Sequence, residues 1–244
     1  MNMRQAMTWK HLRLAGYAPP VDLSYRDIMA QVSAALSALT PAAPQKMTYE
    51  EFLEWADEDT LAEWIALPDE NVGVVAMTSP ASDKHQDLSG FLGSVLRTFV
   101  ETHHLGVVRS APFQMKLEHG REPDLLFIAT EHLDRLQKTY LDGPADLVIE
   151  IISPESISRD RGVKFYEYAR GGVPEYWLID PEMQWAEFYQ LYGQRYQLVT
   201  EGGAGKCTSA VLPDFWLHIE WLWQDPLPPV LDIARALKLG VVQK

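Results

Sequence analysis

Hydrophobic and polar positions follow two periods along this chain, and the clearest pattern lies near its middle. The apolar run Leu147 to Ile152 is rich in β-branched residues and is broken only by Glu150, which predicts a buried strand. A helix is predicted from about Ser158 to Arg170, where two glycines end it. The apolar run Tyr176 to Ile179 predicts a second strand. Because a helix joins the two strands, they should be parallel.

The rest of the pattern predicts further helices and strands on both sides of this unit. An apolar stripe at helical spacing starts after Ser82, a residue type suited to capping a helix. The order of elements is typical of an α/β fold with a mixed sheet flanked by helices. Strands are predicted at Val72 to Met77, Val107 to Leu117, Leu125 to Ala129, a hairpin around Gly193-Gln194 and the alternating run Asp214 to Trp223, with a last helix at Leu231 to Leu239.

The chain is predicted to divide after residue 45. Residues 1–45 are expected to form an N-terminal helical extension, because apolar residues recur at helical spacing before the bend TPAAPQ. Residues 46–244 should form one domain that ends with the hairpin and the last helix. Within it, residues 50–70 are rich in acids and include no Lys or Arg. We interpret this stretch as a solvated acidic helix, or as a segment that turns the carboxylate of Glu63 inward.

Composition and charge narrow the classes of function. A net charge of −13 argues against a surface generally adapted to nucleic acid, since phosphate binding normally leaves a basic footprint. Cys207 is the single cysteine, which excludes a disulfide framework and favours a reducing, cytoplasmic location. No apolar stretch approaches the roughly 20 residues that span a membrane. The tryptophans before residue 224 are expected in the core, with a homodimer interface as the alternative.

Two carboxylates stand where they could share one metal ion. Glu150 lies in a buried strand, and a buried carboxylate needs a cation, a metal or a proton. Asp124 begins another apolar run after Pro123, although Asp is also a common turn residue after proline. Carboxylates on adjacent strand ends can hold Mg²⁺ or Mn²⁺, which polarises a phosphoryl oxygen and acidifies a bound water. A lysine can offset the charge that develops.

The candidate lysine lies on the helix that follows Glu150. Ile152 occupies the place two residues after Glu150 on the same strand face, so Lys164 is the candidate in its stead. Asp160, Lys164 and Tyr168 share one helix face. The alternative for Asp160 and Lys164 is therefore an ordinary surface ion pair.

Two further features have more than one interpretation. His85, in the first turn of the helix after Ser82, is a surface or capping residue or a member of the site. One local basic patch stands out in an acidic chain. If the chain binds a polyanion, the contact should run through Arg159, Arg161, Lys164 and Arg170.

Several segments together resemble a known family. The runs EPDLLFI, DLVIEIISPES and RDRGVKFYEYARGGVPEYWLIDPE, with MTYEEFLEWADEDT and SPASDKHQ upstream, are similar to the Uma-type restriction endonucleases of the PD-(D/E)XK nuclease superfamily. The resemblance covers roughly residues 46 to 223. It implies a restriction-endonuclease-like core and metal-dependent hydrolysis of phosphodiester bonds in DNA. It also implies Asp124 and Glu150 as the acidic motif and metal ligands, Lys164 as the lysine, and Glu63 as an upstream acid.

The chain departs from that pattern after Glu63-Trp64. The family continues with a tight Asp-Gly-Glu turn, whereas this chain reads IALPDENVGVVAM, so Glu70 is an alternative to Glu63 as the upstream acid. Three functions therefore stay open. One is a metal-dependent DNA endonuclease, and another is an inactive module of the same fold that binds DNA or protein. The third is a different hydrolase, or a nuclease acting on another nucleic acid.

Overall fold

The computed structural model describes residues 46–56, 62–68, 70–77, 82–154 and 156–239. All of them belong to the second of two units into which the chain divides, Ala42–Lys244. The helical extension predicted for residues 1–45 lies outside the described residues, and its boundary stays a prediction. Among the described residues, no helix combines the length and the apolar character needed to cross a membrane.

The described elements alternate between strands and helices, as the sequence pattern predicts. In chain order they are β1 Lys46–Met47, α1 Tyr49–Trp55, β2 Ala62–Ala66, β3 Gly73–Met77, α2 Asp83–Thr102, β4 Gly106–Ser110, β5 Gln114–Lys116, β6 Gly120–Arg121, β7 Leu125–Ala129, a 3₁₀ helix Thr130–Arg135, β8 Tyr140–Asp142, β9 Leu147–Ile151, a π-helical turn Arg159–Val163, α3 Lys164–Gly171, β10 Glu175–Asp180, β11 Trp185–Tyr192, β12 Arg195–Gly202, β13 Lys206–Thr208, β14 Trp216–His218, a 3₁₀ helix Ile219–Trp223 and α4 Val230–Ala236.

One six-stranded sheet, which we call the central sheet, carries the predicted strand–helix–strand unit. Its described strands are ordered β12-β11-β10-β9-β7-β4. Strands β9 and β10 are parallel and buried along their whole length, with Leu147 opposite Glu175 and Ile151 opposite Ile179. The other pairs are antiparallel, including the predicted hairpin β11–β12. The sheet is therefore mixed, and the α/β fold class is confirmed.

Helices cover both faces of the central sheet. Helix α2 starts after Ser82, whose hydroxyl accepts a hydrogen bond from the backbone N–H of His85, and it packs Leu88, Leu92 and Phe99 on one face. Helix α3 ends at Gly172, which has a φ of 87°, and its Tyr168 packs on the other face. This division follows from the alternation of side chains along each strand.

A second sheet, the N-terminal sheet, corrects our expectation for the acidic stretch. Its described strands are ordered β1-β3-β2-β6-β5-β8. Among the described residues of the stretch, only those of Tyr49–Trp55 form a helix, whereas Ala62–Ala66 is a buried strand paired with β3. A solvated acidic helix is thus wrong for β2, because Trp64 and its neighbours pack into a small core with Tyr49 and Phe52. The inward orientation of Glu63 is confirmed by its 1% exposure.

The tryptophan-rich run near the end is also less regular than its alternation suggests. Only Trp216–His218 is a strand, paired with β13, and Ile219–Trp223 turns into a 3₁₀ helix. Leu217 and Ile219 are buried as expected, whereas Trp221 and Trp223 are only partly buried. The homodimer stays a prediction.

Candidate active site

A cleft of about 600 Å³ opens where the central sheet, helix α2 and the N-terminal sheet meet. Its lining includes all four side chains that the sequence singles out as site residues: Glu63, Asp124, Glu150 and Lys164. His85 lines the cleft as well, whereas Glu70 pairs with Lys46 at an exposed position outside it. Of the two candidate upstream acids, Glu63 is therefore the one that the fold brings to the cleft.

Asp124 and Glu150 lie opposite each other on neighbouring antiparallel strands. The last registered pair between β7 and β9 is Leu125 with Ile149, so the next pair outward is Asp124 with Glu150. Asp124 is anchored there, because its Oδ2 accepts a 2.6 Å hydrogen bond from the backbone N–H of Ile151. Its side chain remains 18% exposed to the cleft. The pattern of a carboxylate in each of two adjacent strands thus brings two acids together.

Lys164 lies at the bottom of the cleft and contacts three carboxylates. Its Nζ is 2.9 Å from Oε1 of Glu150, 3.1 Å from Oε1 of Glu63 and 3.4 Å from Oδ1 of Asp160. Asp160 and Lys164 are both buried, so the surface ion pair that we considered for them is wrong. Burial alone would lower the pKa of Lys164, but Glu150 and Glu63 outweigh it and raise the pKa, which keeps the ammonium charged.

A line of alternating charges runs from the cleft into the protein. Oε2 of Glu63 accepts a 3.0 Å hydrogen bond from Nη1 of Arg121, and Nη2 of Arg121 donates at 2.7 Å to Oε2 of Glu167. All three side chains are buried. Sequence reasoning missed Arg121 and Glu167. The available signals were an arginine just before the EPD motif and an acid three residues after Lys164 on the same helix face.

The carboxylates of this site differ sharply in proton affinity. Burial would raise the pKa of Glu63, but Lys164 and Arg121 together lower it to about 2. Burial raises the pKa of Glu150 to about 8, since its one close cation, Lys164, is offset by repulsion from Asp160 and Asp124. In the metal-free protein, Glu63 is thus ionised at neutral pH, and burial gives Glu150 a higher proton affinity than Glu63.

Two more side chains hold the carboxylate pair. The hydroxyl of Tyr168 donates a 2.8 Å hydrogen bond to Oε1 of Glu150. Nε2 of His85 lies 3.2 Å from Oδ1 of Asp124. The structure therefore brings the side chain of His85 into the cleft. Its backbone N–H also donates to the hydroxyl of Ser82 at the start of helix α2, in line with the alternative that His85 is a capping residue.

The donor set fits a hard divalent cation with few protein ligands. Within the described part of the chain, no three His, Cys, Asp or Glu side chains come together as a metal-binding group. The cleft offers Asp124 and Glu150 on adjacent strands beside a large open space, and Glu63, Glu122 and Asp160 also line it. Mg²⁺ typically binds through one or two carboxylates and completes its shell with waters and substrate phosphate oxygens. Asp124 and Glu150 match that requirement.

The basic patch predicted from the sequence is not one surface. Nη1 of Arg161 pairs with Glu187, and Arg170 pairs with Glu118 outside the cleft. Lys164 is buried, as described above. Arg159 does line the cleft, and its side chain is 36% exposed. The predicted patch is therefore wrong as a continuous surface, because neighbouring acids and burial divide its members.

Comparisons with known proteins agree with this geometry. The Uma2 family, described as "Putative restriction endonuclease", matches residues 49–220. A comparison with curated proteins gives no match. Among solved structures, the chain is similar to a putative nuclease belonging to DUF820 from Anabaena variabilis ATCC 29413, with a TM-score of 0.60 and 20% sequence identity. That similarity covers 72% of this chain and 97% of the other, and it supports the restriction-endonuclease-like fold.

Proposed function

Because the chain belongs to the Uma2 family, we propose that it is a metal-dependent endonuclease that hydrolyses phosphodiester bonds in DNA. One observation carries the proposal: Asp124 and Glu150 face each other across adjacent strands, with the ammonium of Lys164 2.9 Å from Glu150, in one open cleft. Two carboxylates and a lysine in this arrangement suit hydrolysis of a phosphate diester.

Asp124 and Glu150 would hold Mg²⁺ or Mn²⁺. Such an ion, when bound, polarises a phosphoryl oxygen and lowers the pKa of a water. The backbone N–H of Ile151 fixes the orientation of Asp124, and Tyr168 and Lys164 fix that of Glu150. Because burial raises the pKa of Glu150, we expect the affinity for the ion to increase as the pH rises. The pair is thus held in place before the ion arrives.

Lys164 acts in this proposal as a fixed positive charge. Its pKa is raised by the carboxylates around it, so it does not serve as a base that accepts a proton. Its charge instead offsets the negative charge that develops on the phosphate during attack. Glu63, ionised and bonded to both Lys164 and Arg121, keeps the ammonium in position. In this role Glu63 supports Lys164 and holds no metal.

Asp124→Asn is the variant that tests the proposal most directly. The amide keeps the shape and can still accept the hydrogen bond from Ile151, but it loses the charge that binds the cation. We expect plasmid cleavage in Mg²⁺ and in Mn²⁺ to fall by at least about 100-fold, the upper range seen for residues that only support metal ligands. Asp134→Asn, at an exposed position in the 3₁₀ helix, is the matched control and should cleave normally.

Thermal melts with and without Mg²⁺ separate the competing functions. The wild type should melt at a higher temperature in Mg²⁺, and Asp124→Asn should lose that rise while folding normally. Cleavage retained in Asp124→Asn would end the proposal. A wild type that binds DNA but neither cleaves it nor responds to either cation would be the inactive module of the same fold.

A further inference from the structure

We propose that Arg97 and Arg109 form a phosphate-binding subsite that holds the DNA strand beside the catalytic carboxylates. This inference rests on the proposed function, since it assigns the substrate's path through the same cleft. Both arginines line the cleft, one from helix α2 and the other from the edge strand β4. Neither belongs to the basic patch that the sequence suggested.

The strand register places this subsite next to Asp124. Strand β4 pairs with β7, with Ser110 opposite Leu125, and the backbone N–H of Ala111 donates to the carbonyl oxygen of Asp124. Arg109 lies two residues before Ala111, roughly 7 Å along the strand. A phosphate bound at Arg109 and a phosphate bound at the carboxylates would therefore belong to the same DNA strand.

Both guanidinium groups meet at one carbonyl oxygen. Nη2 of Arg97 lies 3.5 Å from the carbonyl oxygen of Val108, and Nη1 of Arg109 lies 3.0 Å from it. The backbone N–H and C=O groups of the odd-numbered residues in this segment point toward β7. The N–H of Ala111 donates to the carbonyl of Asp124, and the carbonyl of Leu105 accepts from the N–H of Thr130, at the two ends of β7. The Val108 carbonyl therefore points to the open edge of the sheet. There the two arginines converge from separate elements.

The described residues balance the charge of this pair poorly. In the described part of the chain, Arg109 has no carboxylate within ion-pair distance. The one described carboxylate that Arg97 reaches is that of Glu101, at 3.9 Å, and both side chains are well exposed. Two like charges beside one carbonyl repel each other, and an anion between them removes that cost. A phosphate suits the place because its oxygens accept hydrogen bonds from planar guanidinium groups.

Space for a strand is present on the adjacent face of α2. Ser89, Gly90, Gly93 and Ser94 line the cleft there. A Cβ added at Gly90 would have no atom within 4 Å. Small side chains on the helix, the exposed Arg97 further along the same helix and the partly buried Arg109 on β4 leave a groove beside Asp124. This is the arrangement that a polyanionic strand requires.

DNA binding without cleavage tests the subsite. The probe is a fluorescein-labelled DNA duplex, followed by anisotropy in Ca²⁺ over a series of salt concentrations. In the double variant Arg97→Gln, Arg109→Gln, we expect the Kd to rise about tenfold for each arginine, as for loss of a charged hydrogen bond. The slope of log K against log salt should become shallower by about 1 for each arginine replaced. In Mg²⁺, the KM for cleavage should rise with little change in kcat.

Arg195→Gln is the matched control, since it removes an exposed arginine from β12 at the opposite edge of the same sheet. Its salt slope should equal that of the wild type. The single variant Arg97→Gln, at a well exposed position, decides the matter if the double variant does not fold, since its slope should be shallower by about 1. A glutamine variant that folds and binds like Arg195→Gln overturns the subsite.

The outcomes for the subsite and for the proposed function are distinct. If DNA binding depends on the two arginines but the protein cleaves in neither Mg²⁺ nor Mn²⁺, the subsite is supported and the proposed nuclease function is overturned. If cleavage does not depend on either arginine, the nuclease function is supported and the subsite is overturned. A wild type that binds no DNA at low salt overturns the subsite, and its cleavage assay then decides the nuclease separately.

Discussion

Lys164 keeps its charge at a buried position only because carboxylates surround it. An isolated ammonium in a protein interior loses its proton, whereas Lys164 has Glu150, Glu63 and Asp160 within 3.4 Å. The same acids would be left close together, buried and without a cation if the lysine were removed. The lysine that the proposed reaction uses is therefore also one that stabilises the fold.

Lys164→Ala should destabilise the protein by about 3–5 kcal/mol, because breaking a buried ion pair leaves uncompensated charge. Urea unfolding measures this directly, and Lys138→Ala, at an exposed position, is the control. A loss below about 1 kcal/mol would mean that the acids simply take up protons. A loss of cleavage in Lys164→Ala is thus informative only when the variant is shown to be folded.

At the scale of single residues, the sequence predicted the site residues that belong to a recognisable local pattern. It did not predict those that reach the site only through long-range packing. Glu150 stood out because a lone acid in an apolar run requires a partner, and the helical spacing pointed to Lys164. Arg121 carries only a weak signal, its place just before the EPD motif. Its contacts with Glu63 and Glu167 arise from elements that meet across long separations in the chain.

At the scale of elements, the hairpin β2–β3 carries Glu63 into the site. It depends on a close approach, since a Cβ at Gly73 would overlap the ring of Trp64 and lie 2.6 Å from the carbonyl oxygen of Ile65. Periodicity found the parallel unit β9–α3–β10 because its strands are apolar throughout. Periodicity missed β2, because the surrounding acids hid a short strand whose Glu63 is paired inside the protein.

Gly73→Ala should therefore lower stability by about 1–3 kcal/mol, the usual cost of overpacking. The matched control is Gly90→Ala in helix α2, where an added Cβ meets nothing within 4 Å. That control should be neutral or stabilising by up to about 1 kcal/mol. Thermal or urea unfolding of both variants compares them, and equal stabilities would contradict the close approach.

At the scale of the whole described unit, the site forms where two sheets meet. The N-terminal sheet supplies Glu63 and Arg121, the central sheet supplies Glu150, and the helix between β9 and β10 supplies Lys164. Sequence patterns predict strands one at a time and do not show which of them share a sheet. The pattern of strands and helices suggested Asp124, Glu150 and Lys164, and the resemblance to a nuclease family added Glu63 as an upstream acid.

A contact within the N-terminal sheet, between β2 and the turn that joins β5 to β6, should also make the protein sensitive to acid. Nδ1 of His119 accepts a hydrogen bond from the backbone N–H of Ala66, and burial, with the nearby charge of Arg121, lowers the pKa of His119 to about 3. Between pH 6.5 and 3 the unfolded chain binds a proton there that the folded chain does not. Stability is therefore lost as the pH falls through this window.

Because of His119, we expect the free energy of unfolding to fall by about 2 kcal/mol as the pH is lowered from 6.5 to 5. Urea unfolding across that range checks the size of the loss. His119→Gln does not titrate, so its stability should change less with pH, while His103→Gln, at an exposed position, should follow the wild type. A His119→Gln profile parallel to that of the wild type would contradict the low pKa.

The arginine pair at Val108 has a consequence for self-association. An edge strand with free carbonyl and N–H groups invites another chain to add a strand, and charged side chains at the edge prevent it. Any strand that approached β4 would have to displace two guanidinium groups from its path. The central sheet is therefore protected from growing by fibril-like strand addition at the same edge where we place the DNA.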